Sequence, residues 1–238
     1  MKSHLIKFSK SIAVLMLLTS SFLWFGCLPD HNDRPLPDAA FVSIYHGSPD
    51  APDLDIYTEA RKITQSPLRF GESFPYSQFF TGKRLLRFTP YLAVNTLLES
   101  EFTFEKDKVY TLFLANTVSD LEVVQVEDKW SDPDADHAQI RLAHLSPDSG
   151  EIEVLLNGNL KLFGEYQGFR EISEFKKIEK GKYNVEVKSR VTGEVLVSSS
   201  EIDLRGNRVY SLVIRGHETP INGSKPLSIQ LITNYIKF

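Results

Sequence analysis

The sequence predicts an all-β protein: two tandem immunoglobulin-like β-sandwich domains behind a cleaved lipoprotein signal peptide. Two observations carry the fold. An internal repeat places Ile140 98 residues after Val42, and each repeat consists of short alternating runs separated by turn residues, with no long 3.6-residue periodicity to compete. A unit of about 100 residues is the size of one sandwich.

The repeat is read in order along the chain. Val42-Ser-Ile-Tyr-His46-Gly-Ser48-Pro49-Asp50, followed by Leu54-Asp-Ile56, matches Ile140-Arg-Leu-Ala-His144-Leu-Ser146-Pro147-Asp148, followed by Ile152-Glu-Val154. Phe70-Gly71-Glu72 is aligned with Phe163-Gly164-Glu165, and Gly82-Lys83 with Gly181-Lys182. Phe102-x-Phe104 and Val109-Tyr110-x-Leu112 return as Ile202-x-Leu204 and Val209-Tyr210-x-Leu212. The runs expected as strands in the first repeat are Phe41 to His46, Asp53 to Tyr57, Leu85 to Phe88, Phe102 to Phe104, Val109 to Ala115 and Leu121 to Val126. These readings divide the chain into a signal (1–26), a lipidated tether (27–39), a first sandwich (40–127), a linker (128–137) and a second sandwich (138–238).

The N-terminal 26 residues hold Lys2, Lys7 and Lys10, no acid, and the apolar run Ile12 to Leu18. A charged start followed by a short apolar stretch is the layout of a secretory signal, and the stretch is shorter than the roughly 20 residues a spanning helix requires. It ends Leu23-Trp24-Phe25-Gly26-Cys27, which resembles a bacterial lipobox, although Trp24 stands where an aliphatic residue is usual. Cys27 is the single cysteine of the chain, so it is the expected lipidation site, holding the protein on a membrane through acyl chains. Leu28 follows it in place of a retaining aspartate, which points to the outer membrane, and Asp30 and Asp33 point to surface display. Pro29, Pro35 and Pro37 stiffen the tether.

Removing a signal with three lysines and no acid takes the net charge from −4 to −7. That balance, with no Lys/Arg stripe, excludes nucleic acid as a partner. An acylated Cys27 leaves no thiol for a disulfide, a nucleophile or a zinc ligand. No catalytic residue and no cofactor is expected, because Gly-x-Ser-x-Gly and His-Glu-x-x-His are absent. The competing function is an envelope hydrolase with a carboxylate pair drawn from distant strands. A third class, an outer-membrane barrel suggested by the alternation from Leu227 to Phe238, lacks the even series of roughly ten-residue strands that such a barrel needs.

The pattern His46-Gly-Ser48-Pro49-Asp50-Ala51-Pro52 resembles the start of a domain family of bacterial exported proteins known only as a domain of unknown function, the 4397 type. The second copy departs from it, with Ser149-Gly150 at the Ala51-Pro52 position. The resemblance implies an exported sandwich module and no activity. His46 continues the row Val42, Ile44 on one strand face and His144 the row Ile140, Leu142, so both histidines, with Ser48, Pro49, Asp50, Ser146, Pro147 and Asp148, are read as core and turn chemistry.

Asp132, Asp134 and Asp136 alternate like the first ligands of a calcium loop, but His137 and Ala143 occupy its glycine and glutamate positions, which excludes an EF-hand. A looser interdomain calcium site is weighed against a solvated acidic linker. In the aromatic cluster Phe70, Phe74, Tyr76, Phe79 and Phe80, repeated as Phe163, Phe169 and Phe175, core packing is expected, with Tyr76 and Phe79 as the exposed members. The function class these readings support is a non-catalytic, membrane-anchored envelope module for a surface protein or polysaccharide.

Overall fold

The computed structural model describes residues 37–221 and 223–238; the signal 1–26 and Cys27 lie outside them. The described chain is all-β. Its first half contains β1 (Ala39–His46), β2 (Leu54–Thr58), β3 (Arg61–Lys62), β4 (Ser73–Phe80), β5 (Gly82–Pro90), β6 (Leu98–Phe104), β7 (Val109–Ala115) and β8 (Glu122–Glu127). The second contains β9 (His137–His144), β10 (Ile152–Leu156), β11 (Lys176–Glu179), β12 (Gly181–Ser189), β13 (Val195–Leu204), β14 (Arg208–Arg215) and β15 (Ser228–Ile236). The C-terminal alternation is β15, an edge strand paired with β14.

The first half has sheets in the order β4-β1-β7-β8 and β3-β2-β5-β6; the second has β11-β9-β14-β15 and β10-β12-β13. Connectivity repeats between them. β1 runs parallel to β7 as β9 does to β14, and β2, β5 and β6 pair in succession as β10, β12 and β13 do. The corner before each parallel strand is fixed identically: the Tyr110 hydroxyl accepts from the Glu105 amide and the Tyr210 hydroxyl from the Arg205 amide, a tyrosine corner of the kind found in sandwiches.

Alternation then sorts the side chains. Val42, Ile44, Leu112 and Leu114 turn toward Ile56, Leu86 and Phe88 of the facing sheet and form one core. Ile140, Leu142, Leu212 and Ile214 form a second with Val154, Val185 and Val187. The odd-numbered neighbours on β1, β7, β9 and β14 form a third: Tyr45, Phe113 and Ala115 meet Ala143, Leu145 and Val213. The four sheets are therefore stacked in layers, with the β1/β7 sheet and the β9/β14 sheet covered on both faces. This explains why Val109-Tyr-Thr-Leu-Phe-Leu-Ala115 is a nearly unbroken apolar run whereas β12 alternates.

The strands of the two halves point the same way. Gly47 follows β1 so close to Leu145 that a Cβ there would lie 2.6 Å from Leu145 Cδ1. The Lys225 amide donates to the Pro49 carbonyl at 2.9 Å. One end of the stack, the base, carries Asp38, whose carbonyl accepts from Thr81. The other end, the tip, carries the turns after His46 and His144.

The structure corrects one alignment of the repeat. Glu72 accepts from the His46 amide and Gly71 donates to the His46 carbonyl; their counterparts are Glu171 and Arg170 on His144. Phe70 and Phe169 sit edge-on to His46 and His144, at 6.3 and 6.4 Å between ring centres. The true partner of Phe70-Gly71-Glu72 is thus Phe169-Arg170-Glu171. Phe163 fills the second core instead. Matching the Phe-Gly dipeptide misled the alignment, because Gly71 and Arg170 share a left-handed conformation (φ +83° and +70°) that a glycine is not obliged to supply.

Candidate binding surfaces

The signature histidines and serines, His46, Ser48, His144 and Ser146, lie buried at the tip. His46 Nε2 is 3.1 Å from the Pro52 carbonyl and His144 Nε2 is 2.9 Å from the Gly150 carbonyl. A carbonyl only accepts, so each ring carries its proton on Nε2. Burial pulls the His46 pKa down to about 4 and lowers that of His144. Asp50 Oδ1 accepts from the Val118 amide, while Asp148 accepts from the Glu218 and Thr219 amides. Each signature aspartate thereby ties its turn to the loop that follows β7 or β14. Ser48 and Ser146 reach Asp50 and Asp148 at 3.5 and 3.3 Å.

Beside β4 the two sheets of the first half part, leaving a cleft of about 890 Å³ between the free edges of β3 and β4. Phe74 and Phe79 form one wall, Arg61 and Gln65 stand on the other, and Phe80 and Arg84 lie at the mouth. A second cavity of about 490 Å³ continues it past Thr64 and Phe74 toward Pro67. Phe80 is 61% exposed. The Arg84 guanidinium lies 5.8 Å from its ring centre and is locked there by donating to the Phe80 and Thr81 carbonyls at 3.2 and 2.7 Å. In the second half the corresponding segment, between β10 and β11, turns Phe163 and Leu162 inward onto the core. The expectation for the aromatic cluster is corrected here: Phe79 is a core residue, Tyr76 is drawn into the contact between the halves, and Phe80 is the exposed ring. The β4 alternation decides this, with Phe80 falling on the face that Phe79 does not use.

Between the halves lies a closed polar network. Arg141, on the β9 face opposite Ile140 and Leu142, is 1% exposed. It donates through Nη1 to Asp128 Oδ1, through Nε to Ser211 Oγ at 2.8 Å and through Nη2 to Thr111 Oγ1 at 3.0 Å. Thr111 and Tyr76 donate to Asp128 Oδ2. Asn234 closes the ring, donating to the Tyr76 hydroxyl at 3.1 Å and accepting from Ser211 at 2.8 Å. The guanidinium is also packed between aromatic rings, 5.1 Å from the centre of Phe113 and 4.5 Å from that of Phe175. Burial, with the Asp128 carboxylate, raises the Tyr76 pKa well above the usual phenol range, so it remains a donor.

The linker differs from a solvated chain. Asp128 is buried in this network and Trp130 stacks on Tyr235, edge-on to Phe175. The three alternating aspartates do not converge: Asp132 faces Lys237, Asp134 faces Lys177 and His137, and Asp136 faces Lys180. Asp134 Oδ1 also accepts from the Asp136 and His137 amides, which makes it a turn cap. Hydrogen bonds from Lys177 and His137 hold its carboxyl far below the usual range. Among the described residues no group of three or more His, Cys, Asp or Glu side chains could hold a metal ion.

Residues 40–155 match the family model for a domain of unknown function, DUF4397. The DUF4397 match opens in β1, takes in the first His-Gly-Ser-Pro-Asp turn and the cleft, and ends inside β10. No curated protein matches the sequence. Among solved structures, the chain is similar to a family 26 carbohydrate-binding module from Eubacterium rectale Amy13K, crystallised with maltoheptaose, at 10% identity, covering 79% of this chain and 100% of that one with a TM-score of 0.26. It is also similar to the fimbrial anchor protein Mfa2 from Porphyromonas gingivalis (7% identity, 84% and 100% coverage, TM-score 0.22). A candidate cell adhesion protein from Bacteroides eggerthii gives 11% identity, 83% and 96% coverage and a TM-score of 0.21.

Sequence reasoning missed Arg141, Asp128, Thr111 and Ser211. A signal for Arg141 was present: it is the one charged residue in the run Ile140 to Leu145, on the face that a two-layer sandwich would leave in water. Nothing in the spacing links it to Asp128, 13 residues away across a strand start. The cleft gave no signal, since β3 is two residues long and β4 contains Pro75.

Proposed function

We propose that this protein is a non-catalytic, membrane-anchored binding module of the bacterial envelope: two tandem immunoglobulin-like domains, lipidated at Cys27, that hold a surface glycan in the first-half cleft. The observation that carries this reading is the contrast between the halves. One leaves about 890 Å³ open beside an exposed, arginine-braced Phe80, and the other packs Phe163 into its core on the same side. A flat ring at the mouth of a cleft lined by Arg61, Gln65 and Gln78 offers the apolar face and the hydrogen-bonding edges that a sugar ring presents in alternation.

Hydrolysis fits less well. Glycoside cleavage takes two carboxyl groups flanking the bond, and the described lining of the larger cleft contains one, Glu59, which accepts from the Leu85 amide. Among the described residues the two buried acids are Asp55 and Asp128, each held by a cation, Lys62 and Arg141. Neither is presented to a substrate.

Screening the fragment from Asp38 onward against envelope polysaccharides is expected to give a binder whose affinity falls about tenfold in Phe80→Ala, the usual scale for losing an aromatic anchor. The reading fails if no glycan binds, or if Phe80→Ala binds as well as the parent. Anchoring is tested separately on the whole chain: incorporation of a palmitate analogue should be abolished in Cys27→Ser and unchanged in Phe80→Ala.

A further inference from the structure

The tip of the stack carries an unusual share of the exposed apolar side chains. Tyr91, Leu92 and Val94 lie on the β5–β6 loop, Val118 on the β7–β8 loop, Val191 and Val195 at the β12–β13 turn, and Ile221 on the β14–β15 loop. These are seven of the thirteen large hydrophobic residues that are exposed among those described. All four connections leave the strands at the end carrying the His46 and His144 turns, away from Asp38. Leu92, Val94 and Val191 are exposed by 77, 93 and 89%, so they project into solvent rather than line a hollow.

The β5–β6 loop is also held in place. Leu92 adopts a left-handed conformation, φ +59°, which costs a leucine free energy. Its amide donates at 3.2 Å to Oδ2 of buried Asp55, whose other oxygen binds Lys62 at 2.7 Å and Thr64 at 3.2 Å. Burial pushes the Asp55 carboxyl up, but these bonds win and hold it below the usual range. Lys62 in turn lies 5.5 Å from the Tyr91 ring centre. Buried Asp55 therefore pins a strained, apolar loop through the Leu92 amide.

We propose that the tip is a lipid-contacting surface: the β5–β6 loop and the β12–β13 turn insert Leu92, Val94 and Val191 into the interface of an uncharged bilayer. Three features favour lipid over protein. The projecting residues are aliphatic, whereas protein interfaces concentrate their energy in Trp, Tyr and Arg seated in pockets. They sit on separate tips of the two outermost layers, roughly 30 Å apart for four sheets about 10 Å from one another, which suits a plane better than a complementary patch. The segment Tyr91-Leu-Ala-Val-Asn-Thr-Leu97 contains no charge, so its burial carries no ionic desolvation penalty. Anionic headgroups are disfavoured, because the tip loops are acidic. Asp50, Asp53, Glu72, Asp120, Asp148, Glu151, Glu171, Glu194 and Glu218 stand against Arg69, Arg170, Arg190 and Lys225.

The test is flotation of the fragment from Asp38 onward, a compact unit with its own cores, with phosphatidylcholine vesicles. The parent should float with the vesicles. Val94→Asp and Val191→Asp should each lower partitioning about tenfold, and the double variant about a hundredfold, with unchanged melting because both positions are solvent-exposed. The proposal is overturned by no flotation, by equal flotation of the double variant, or by binding that requires phosphatidylglycerol. It is equally overturned if the parent sediments as a dimer that Val94→Asp dissociates, since the tip would then serve self-association.

Discussion

Asp128→Ala will destabilise the folded protein by about 3–5 kcal/mol, the scale for removing one partner of a buried ion pair. Its carboxylate is the acceptor for Arg141, Thr111 and Tyr76 at once. With it gone, a guanidinium that is 1% exposed stays buried with no counter-charge, and two hydroxyls lose their acceptor. Urea denaturation should show the loss, and the double variant Asp128→Ala/Arg141→Met should recover most of it, because an apolar side chain of similar length leaves nothing unpaired. The singly substituted protein should also unfold in two steps, since the network ties the halves together. A single transition shifted by less than about 1 kcal/mol would refute this account.

Acidification will produce the second large effect. The folded state binds a proton at His46 only near pH 4, because burial penalises the imidazolium, whereas the unfolded chain binds it near pH 6.5. Between these values the unfolded state holds more protons, so stability is flat above pH 6.5, falls as the pH drops, and has lost about 3 kcal/mol from this residue by pH 4. His144 is shifted the same way and steepens the fall. Below pH 4 the carboxylates held low by lysine or backbone amides, among them Asp55, Asp136 and Asp148, add their own loss as they take up protons. Denaturation midpoints at pH 7.5 and 4.5 measure the slope. His46→Gln, which keeps an N–H for the Pro52 carbonyl, should flatten it; an unchanged slope would remove His46 from the explanation.

Much of the architecture was legible in the residue order. The alternation of Val42, Ile44 and His46 placed a strand and its core face, and β7 was located residue for residue at Val109–Ala115. These features are local: period-two burial is written into consecutive residues, and Ser-Pro-Asp turn chemistry acts over three or four positions. β4 was not legible, because Ser73-Phe-Pro-Tyr-Ser-Gln-Phe-Phe80 mixes proline and polar residues on an edge that needs only one partner. Nor was the correct position of Phe169, since a left-handed turn tolerates Gly71 or Arg170 alike.

By itself the sequence determined an all-β chain, the core-facing rows of β1 and β9, the position of β7, and the turns that follow His46 and His144. The tertiary structure alone decided that the central sheets are covered on both faces, that Asp128 belongs to Arg141 and not to a solvated linker, that the three linker aspartates each face their own lysine, and that a cleft opens beside Phe80 where Phe163 closes its counterpart. The physical reason is range. A strand's two faces follow from its own residues, but which of them meets water depends on a second sheet many residues away, and no spacing along the chain encodes that meeting.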